Sequence, residues 1–136
     1  MKYWKSREYH LEYKLQKLGY LDTERQWLSR GVRGDVYCPG LQSIFDCKSS
    51  IHAQKSISLQ KEDLEKIERN AVTLSAMDKK EFVGGIYFSF YNGKTDYVVL
   101  TFQDFLKMRQ AYIQLSELKK ASSELPCEKP TVLPHL

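Results

Sequence analysis

Apolar residues recur at Trp4, Leu11, Leu15 and Leu18, a helical spacing that Gly19 brings to a stop. At 100° per residue they lie within about 40° of one direction, and Glu8 falls in the same arc, so a carboxylate interrupts the stripe that should be buried. Glu12 lies at the edge of that stripe and reads as a solvated flank, while Tyr9, Tyr13 and Tyr20 lie on the side away from Trp4. Weak alternation over Thr23 to Leu28 predicts a short strand. Asp35-Val36-Tyr37-Cys38, set between Gly31, Gly34, Pro39 and Gly40, predicts another. The run from Ser43 to Lys48 alternates more cleanly, with Ile44, Asp46 and Lys48 on one face and Phe45 and Cys47 on the other.

Ser49 to Ser58 is polar and reads as a surface loop. Leu64, Ile67, Ala71 and Leu74 then mark an amphipathic helix, with Glu62 and Asp63 near its positive end. Gly84 to Phe90 and Tyr97 to Leu100 are rich in strand formers, and Asn92-Gly93 between them signals an antiparallel hairpin. Thr101 followed by Asp104 resembles a capping box and opens a third helix through Phe105, Leu106, Met108, Tyr112, Ile113 and Leu115. From Ala121 the chain turns rich in Ser and Pro, which predicts an extended tail. The pattern gives the order αβββαββα: helices flanking one mixed five-stranded sheet, a single domain over 1–120 and a tail over 121–136.

Composition narrows the class. With 136 residues, 42% hydrophobic and 28% charged, the chain can build a core without staples, and wholesale disorder is excluded. No apolar run approaches the roughly 18 to 20 residues that span a bilayer, and the opening Met1-Lys2-Tyr3-Trp4-Lys5 lacks a signal-peptide stretch. Cys38, Cys47 and Cys127 cannot all pair with one another. A soluble cytoplasmic protein, of cellular or viral origin, is the expectation. The net charge of +4 is permissive for nucleic acid and not diagnostic of it.

The chemistry concentrates in Gly34-Asp35-Val36 and Asp46-Cys47-Lys48. If the two strands pair, Asp35 and Asp46 converge, and converging carboxylates repel unless a cation lies between them. Oxygen ligands with open water positions suit Mg²⁺ or Mn²⁺. Lys48 would point into the same site, ready to orient water or to stabilise charge on a phosphate, a set of parts that suits phosphodiester hydrolysis. Read structurally, the same residues are a turn aspartate and an Asp46–Lys48 ion pair on a strand surface. Glu8 in an apolar stripe, Asp35 between glycine turns and the acid-x-Lys strand are three oddities with one common explanation.

Together these residues resemble the PD-(D/E)xK nuclease superfamily, and within it the archaeal-type Holliday junction resolvases. The similarity runs from Ser6 to about Phe105 through Arg7-Glu8 with Gly19-Tyr20, Ser29-Arg30-Gly31, Asp35-Val36, Asp46-Cys47-Lys48, Leu59-Gln60-Lys61, Gly84-Gly85-Ile86 and Tyr97-Val98-Val99-Leu100. It implies a restriction-endonuclease-like fold and an Mg²⁺-dependent endonuclease, with Mn²⁺ as substitute, cutting four-way DNA junctions as a homodimer. It further implies Glu8, Asp35 and Asp46 as metal-site acids, the Cys47 carbonyl as a further ligand, Lys48 as the catalytic lysine and Ser29 as a loop serine near the site. Gly34 stands where the motif has proline, and Asp46 where glutamate is usual, so the ligand is one methylene shorter.

Around this constellation Arg30, Arg33, His52, Lys55, Gln60 and Lys61 are candidate DNA contacts, or an ordinary polar surface. Cys38, Cys47 and His52 match no zinc spacing. Apolar residues on the third helix offer a dimer surface, and a twofold dimer would match a junction with two symmetric scissile strands. The rival expectations are a nuclease of the same fold with another DNA substrate, and an inactive nucleic-acid-binding or protein-binding module.

Overall fold

A computed structural model describes residues 3–25, 35–49, 56–90 and 94–124. Helix α1 (Tyr3–Lys17) precedes strands β1 (Glu24–Arg25), β2 (Val36–Cys38) and β3 (Ser43–Ser49), the last two joined by a short 3-10 turn. Helix α2 (Lys61–Asp78), strands β4 (Val83–Ser89) and β5 (Asp96–Val99) and helix α3 (Phe102–Glu124) follow. The five strands lie side by side in chain order. Only β3 and β4 run parallel; every other neighbouring pair is antiparallel. The α/β class, the mixed five-stranded sheet and the element order are those the polar pattern predicts.

A parallel pair needs a crossover, and α2 supplies it between β3 and β4. Its inward residues Ile67, Ala71 and Leu74 pack on Ile44, Tyr37, Phe82 and Ile86. Burial of each aliphatic side chain there contributes roughly 1.5–3 kcal/mol. Tyr37 stacks on Phe82 at 5.9 Å and donates its hydroxyl to Asp78 at 3.1 Å, which ties β2 to the far end of α2. The other face of the sheet, formed by Val36, Cys38, Phe45, Cys47 and Tyr87, takes Leu11 and Leu15 of α1. Strand alternation therefore assigns Ile44, Asp46 and Lys48 to the α2 side and Phe45 and Cys47 to the α1 side.

Helix α1 ends as predicted at Gly19, whose φ of +107° permits the reversal. Tyr20 N–H donates to Leu15 carbonyl and Gly19 N–H to Gln16 carbonyl, each at 3.0 Å, a Schellman end. Several expectations change here. Leu18 is the capping residue and is exposed, so it leaves the buried stripe; the packing of Trp4 lies outside the described side chains. Glu12 is no solvated flank: it accepts Arg25 N–H at 3.3 Å and pairs with the Arg25 guanidinium at 3.4 Å, joining α1 to β1. That guanidinium also lies 3.8 Å over the Tyr9 ring. Tyr20 is half-buried against the α1 side of the core, whereas Tyr9 and Tyr13 are exposed.

The chain forms two compact units, 1–100 and 101–136. In the second, Thr101 Oγ1 accepts Asp104 N–H at 3.1 Å, the cap expected from the sequence. α3 continues to Glu124, so the residues from Ala121 to Glu124 are helical where an extended tail was expected. Among the described residues, no helix is long and apolar enough to cross a membrane. The Asn92-Gly93 turn and Cys127 lie outside the described residues.

At Gly84 α2 lies close against the sheet: a Cβ there would stand 2.6 Å from Ile67 carbonyl oxygen, a main-chain atom that cannot swing aside. Gly84→Ala is therefore expected to destabilise the fold by roughly 1–3 kcal/mol, read as a lower urea midpoint at unchanged slope.

Candidate active site

The site forms at the carboxyl end of β3, where an open α/β sheet leaves its crevice. Because α2 leads back from the end of β3 to the start of β4, its first turns stand beside the last residues of β3. Asp46 and Lys48 thus meet the N-terminal part of α2, while Ile44 meets its apolar middle.

Asp35 is placed by β2. Its N–H donates to Phe45 carbonyl at 2.8 Å, and its carboxylate accepts the N–H of Cys47 at 2.7 Å. β2 begins only at Val36, so the Asp35 side chain satisfies a main-chain donor that the ladder does not reach. The carboxylate is thereby held beside Asp46. Burial pushes the Asp35 carboxyl above its ordinary range, against the Cys47 N–H and the ammonium groups of Lys48 and Lys66.

Asp46 is the most constrained of the acids, with only 6% of its surface exposed. Burial, and then the neighbouring Asp35, push its carboxyl up to about 6; Lys66 and Lys48 oppose that rise, and Asp63 adds to it. The pattern is that of two acids that share one desolvated place without enough positive charge. The structural alternative, an Asp46–Lys48 ion pair, is not what forms. Lys48 donates instead to Asp63 on α2 at 2.7 Å, with both side chains about 30% exposed.

Glu8 reaches the neighbourhood from the opposite face. It is half-buried on α1. Its charge acts on Cys47, whose thiol is pushed far up by burial first and then by Asp35, Glu8 and Asp46, with Arg7 opposing. Arg7 donates to the buried hydroxyl of Ser89, at the carboxyl end of β4. Among the described residues no three His, Cys, Asp or Glu side chains group to hold a metal. Asp35 and Asp46 come together beside β3, and Glu8 brings its charge to Cys47 from α1.

Two carboxylates still fit a divalent ion of the Mg²⁺ type, which is commonly held by one or two carboxylates and keeps several waters. The carbonyl of Cys47 leaves β3 on the same edge as its N–H, the edge where Asp35 lies. Gln60 is exposed at the extended N-cap of α2, and its carbonyl accepts Asp63 N–H at 3.1 Å. Lys61 is exposed and 4.0 Å from Glu65. Ser29, Arg30, Arg33, His52 and Lys55 lie outside the described residues.

Two residues were not read from the sequence as part of the site: Asp63, taken only as an acid suited to a helix N-terminus, and Lys66. Asp63 stands four residues before Ile67 on the same face of α2, so extending the apolar stripe one turn back locates it, and Lys66 stands three residues on from Asp63, beside it on the helix. In comparisons with known proteins, no family model, no curated protein and no solved structure matches the chain.

The direction of the Asp46 shift fixes a pH dependence. A carboxyl that ionises near 6 when folded and near 3.8 when unfolded favours the folded state most below pH 4. That contribution falls away between about pH 4 and 6, and at higher pH its loss amounts to about 3 kcal/mol. Without divalent ions, Asp46→Asn should therefore match the wild type near pH 4 and exceed it above pH 6, as measured by urea unfolding across that range.

Proposed function

We propose that the chain is a metal-dependent nuclease of restriction-endonuclease-like fold. Within that class the reading is a structure-selective DNA endonuclease that resolves four-way junctions as a homodimer. The observation that supports it is the meeting of Asp35 and Asp46 at the carboxyl end of β3, with Lys48 two residues further along the same face. This is the arrangement that the resemblance to PD-(D/E)xK nucleases leads one to expect.

In this reading Asp35, Asp46 and the Cys47 carbonyl hold Mg²⁺, for which Mn²⁺ substitutes. The bound ion supplies an activated water and neutralises charge that builds on the phosphate. The side chains do the rest. Asp35 stays in place because its carboxylate is tied to the β3 main chain by the 2.7 Å bond to Cys47 N–H. Lys48 donates to a phosphate oxygen as negative charge grows there, during in-line attack of water on the scissile phosphodiester. Burial of Asp46 excludes competing water and strengthens each of these interactions. Gln60 and Lys61, exposed at the start of α2, lie where backbone phosphates would pass, and with Arg30, Arg33, His52 and Lys55 they form the DNA contacts of this reading. Glu8 is the third metal-site acid of this reading, and Ser29 its loop serine. The dimer uses the exposed apolar residues of α3, among them Phe105, Tyr112 and Leu115.

A synthetic four-way junction and a linear duplex, each incubated with Mg²⁺ or with chelator, test the proposal. Paired symmetric nicks in the junction alone are expected, and only with Mg²⁺. Cutting of plain duplex would point to a same-fold restriction, nicking or repair enzyme, and tight binding without any cutting to an inactive module. Asp46→Asn is expected to bind the junction and to lose cleavage; unchanged cleavage removes Asp46 from the mechanism. In the same samples Mg²⁺ should raise the melting temperature of the wild type and leave that of Asp46→Asn where it is.

A further inference from the structure

Asp63 poses a question that the carboxylate pair alone does not answer. It brings a third negative charge to a place where Asp35 and Asp46 already crowd each other, yet it does not join them in a ligand group. What it does hold is Lys48, at 2.7 Å. A lysine ammonium sits on a flexible four-carbon stem with three donors, so one bond to Asp63 fixes its place and leaves two donors for a phosphate. The packing of α2 on the sheet brings Asp63 there. The Gly84–Ile67 contact seats α2 directly on the sheet, and Asp63 lies one turn before Ile67.

We propose that Asp63 is the positioning residue for Lys48: it holds the ammonium over the carboxyl end of β3 so that Lys48 meets the scissile phosphate already oriented. The proposal rests on the nuclease reading above and extends it to α2. Lys66 supports it, standing three residues on and facing Asp35 and Asp46, so that the charge Asp63 withdraws from the pair is replaced from the same helix. A plain strut between α2 and β3 would need no lysine aimed at a carboxylate pair, and it would show itself in stability and not in turnover.

Junction cleavage under single-turnover and steady-state conditions separates the two. Asp63→Ala is expected to lower kcat by about tenfold to a hundredfold while KM and junction affinity stay within about twofold. Asp63→Glu should recover part of the loss. Lys48→Ala and the double variant with Asp63→Ala should cut equally slowly, because Asp63 acts only through Lys48. Wild-type turnover in Asp63→Ala, or losses in the two single variants that multiply in the double, overturns the proposal. Side-chain ¹⁵N–¹H spectra of the lysine ammonium groups give a second readout that needs no substrate. The Lys48 signal should be sharp in the wild type and lost to exchange in Asp63→Ala, and a signal unchanged by the substitution also overturns the proposal. Should the wild type cut no junction while the Lys48 signal depends on Asp63, the nuclease reading falls and the link between the two residues stands apart from it.

Discussion

The bond from Cys47 N–H to the Asp35 carboxylate is the interaction on which the site depends. It stands where a ladder bond would otherwise stand, just before β2 begins, and it turns an acid outside the strand into part of the sheet. A hydrogen bond to a charged acceptor contributes about 1.5–3 kcal/mol, which offsets part of the cost of burying that carboxylate next to a second one. Remove it and two things go together: the open donor on β3 loses its partner, and Asp35 is free to leave Asp46. The crowding of the two acids is thus a consequence of strand pairing and needs no loop to impose it.

The parallel pairing of β3 with β4 sets the rest. It requires a helix to run back across the sheet, so the beginning of α2 meets the end of β3. One strand consequently presents different chemistry on its two sides. On the α2 side are Asp46, Lys48, Asp63 and Lys66; on the α1 side are Cys47, Arg7 and Glu8, with Ser89 at the end of β4. Glu8 thus adds its charge at Cys47 from α1, beside those of Asp35 and Asp46.

Much of this was legible beforehand because period two is unambiguous over Ser43 to Lys48: whichever helix covers Ile44 also meets Asp46 and Lys48, and Phe45 and Cys47 face the other way. Gly19, Thr101 and the apolar face of α2 were legible for similar local reasons. The errors arise where tertiary contacts override a local rule. Leu18 has the right helical angle but falls at the cap, beyond the last turn that touches the sheet. Glu12 has the angle of a flank, yet β1 returns beside it and supplies Arg25. The Ser and Lys content after Leu118 weakens apolar periodicity without stopping a helix, and α3 runs on toward the first true breaker, Pro126. Asp63 was legible as a charge that suits a helix N-terminus. Its second role, as partner of Lys48, depends on how deeply α2 settles on Gly84, and spacing along one chain segment does not contain that depth.

A structural acid and a working acid differ in how their charge is compensated. Were stability the only demand on position 46, either an apolar side chain or a full ion pair with Lys48 would serve, and each would avoid a desolvated carboxylate beside another. Instead Lys48 is committed to Asp63, and Asp46 is left to share Asp35 as its neighbour with its carboxyl pushed up to about 6. Such a departure from the cheapest arrangement, at the open end of a parallel strand and beneath the positive end of a helix, is the kind of local conflict that concentrates at functional sites. In the proposed reading a divalent ion held between Asp35 and Asp46 would resolve it, since the repulsion between the two carboxylates would become the attraction that binds the cation.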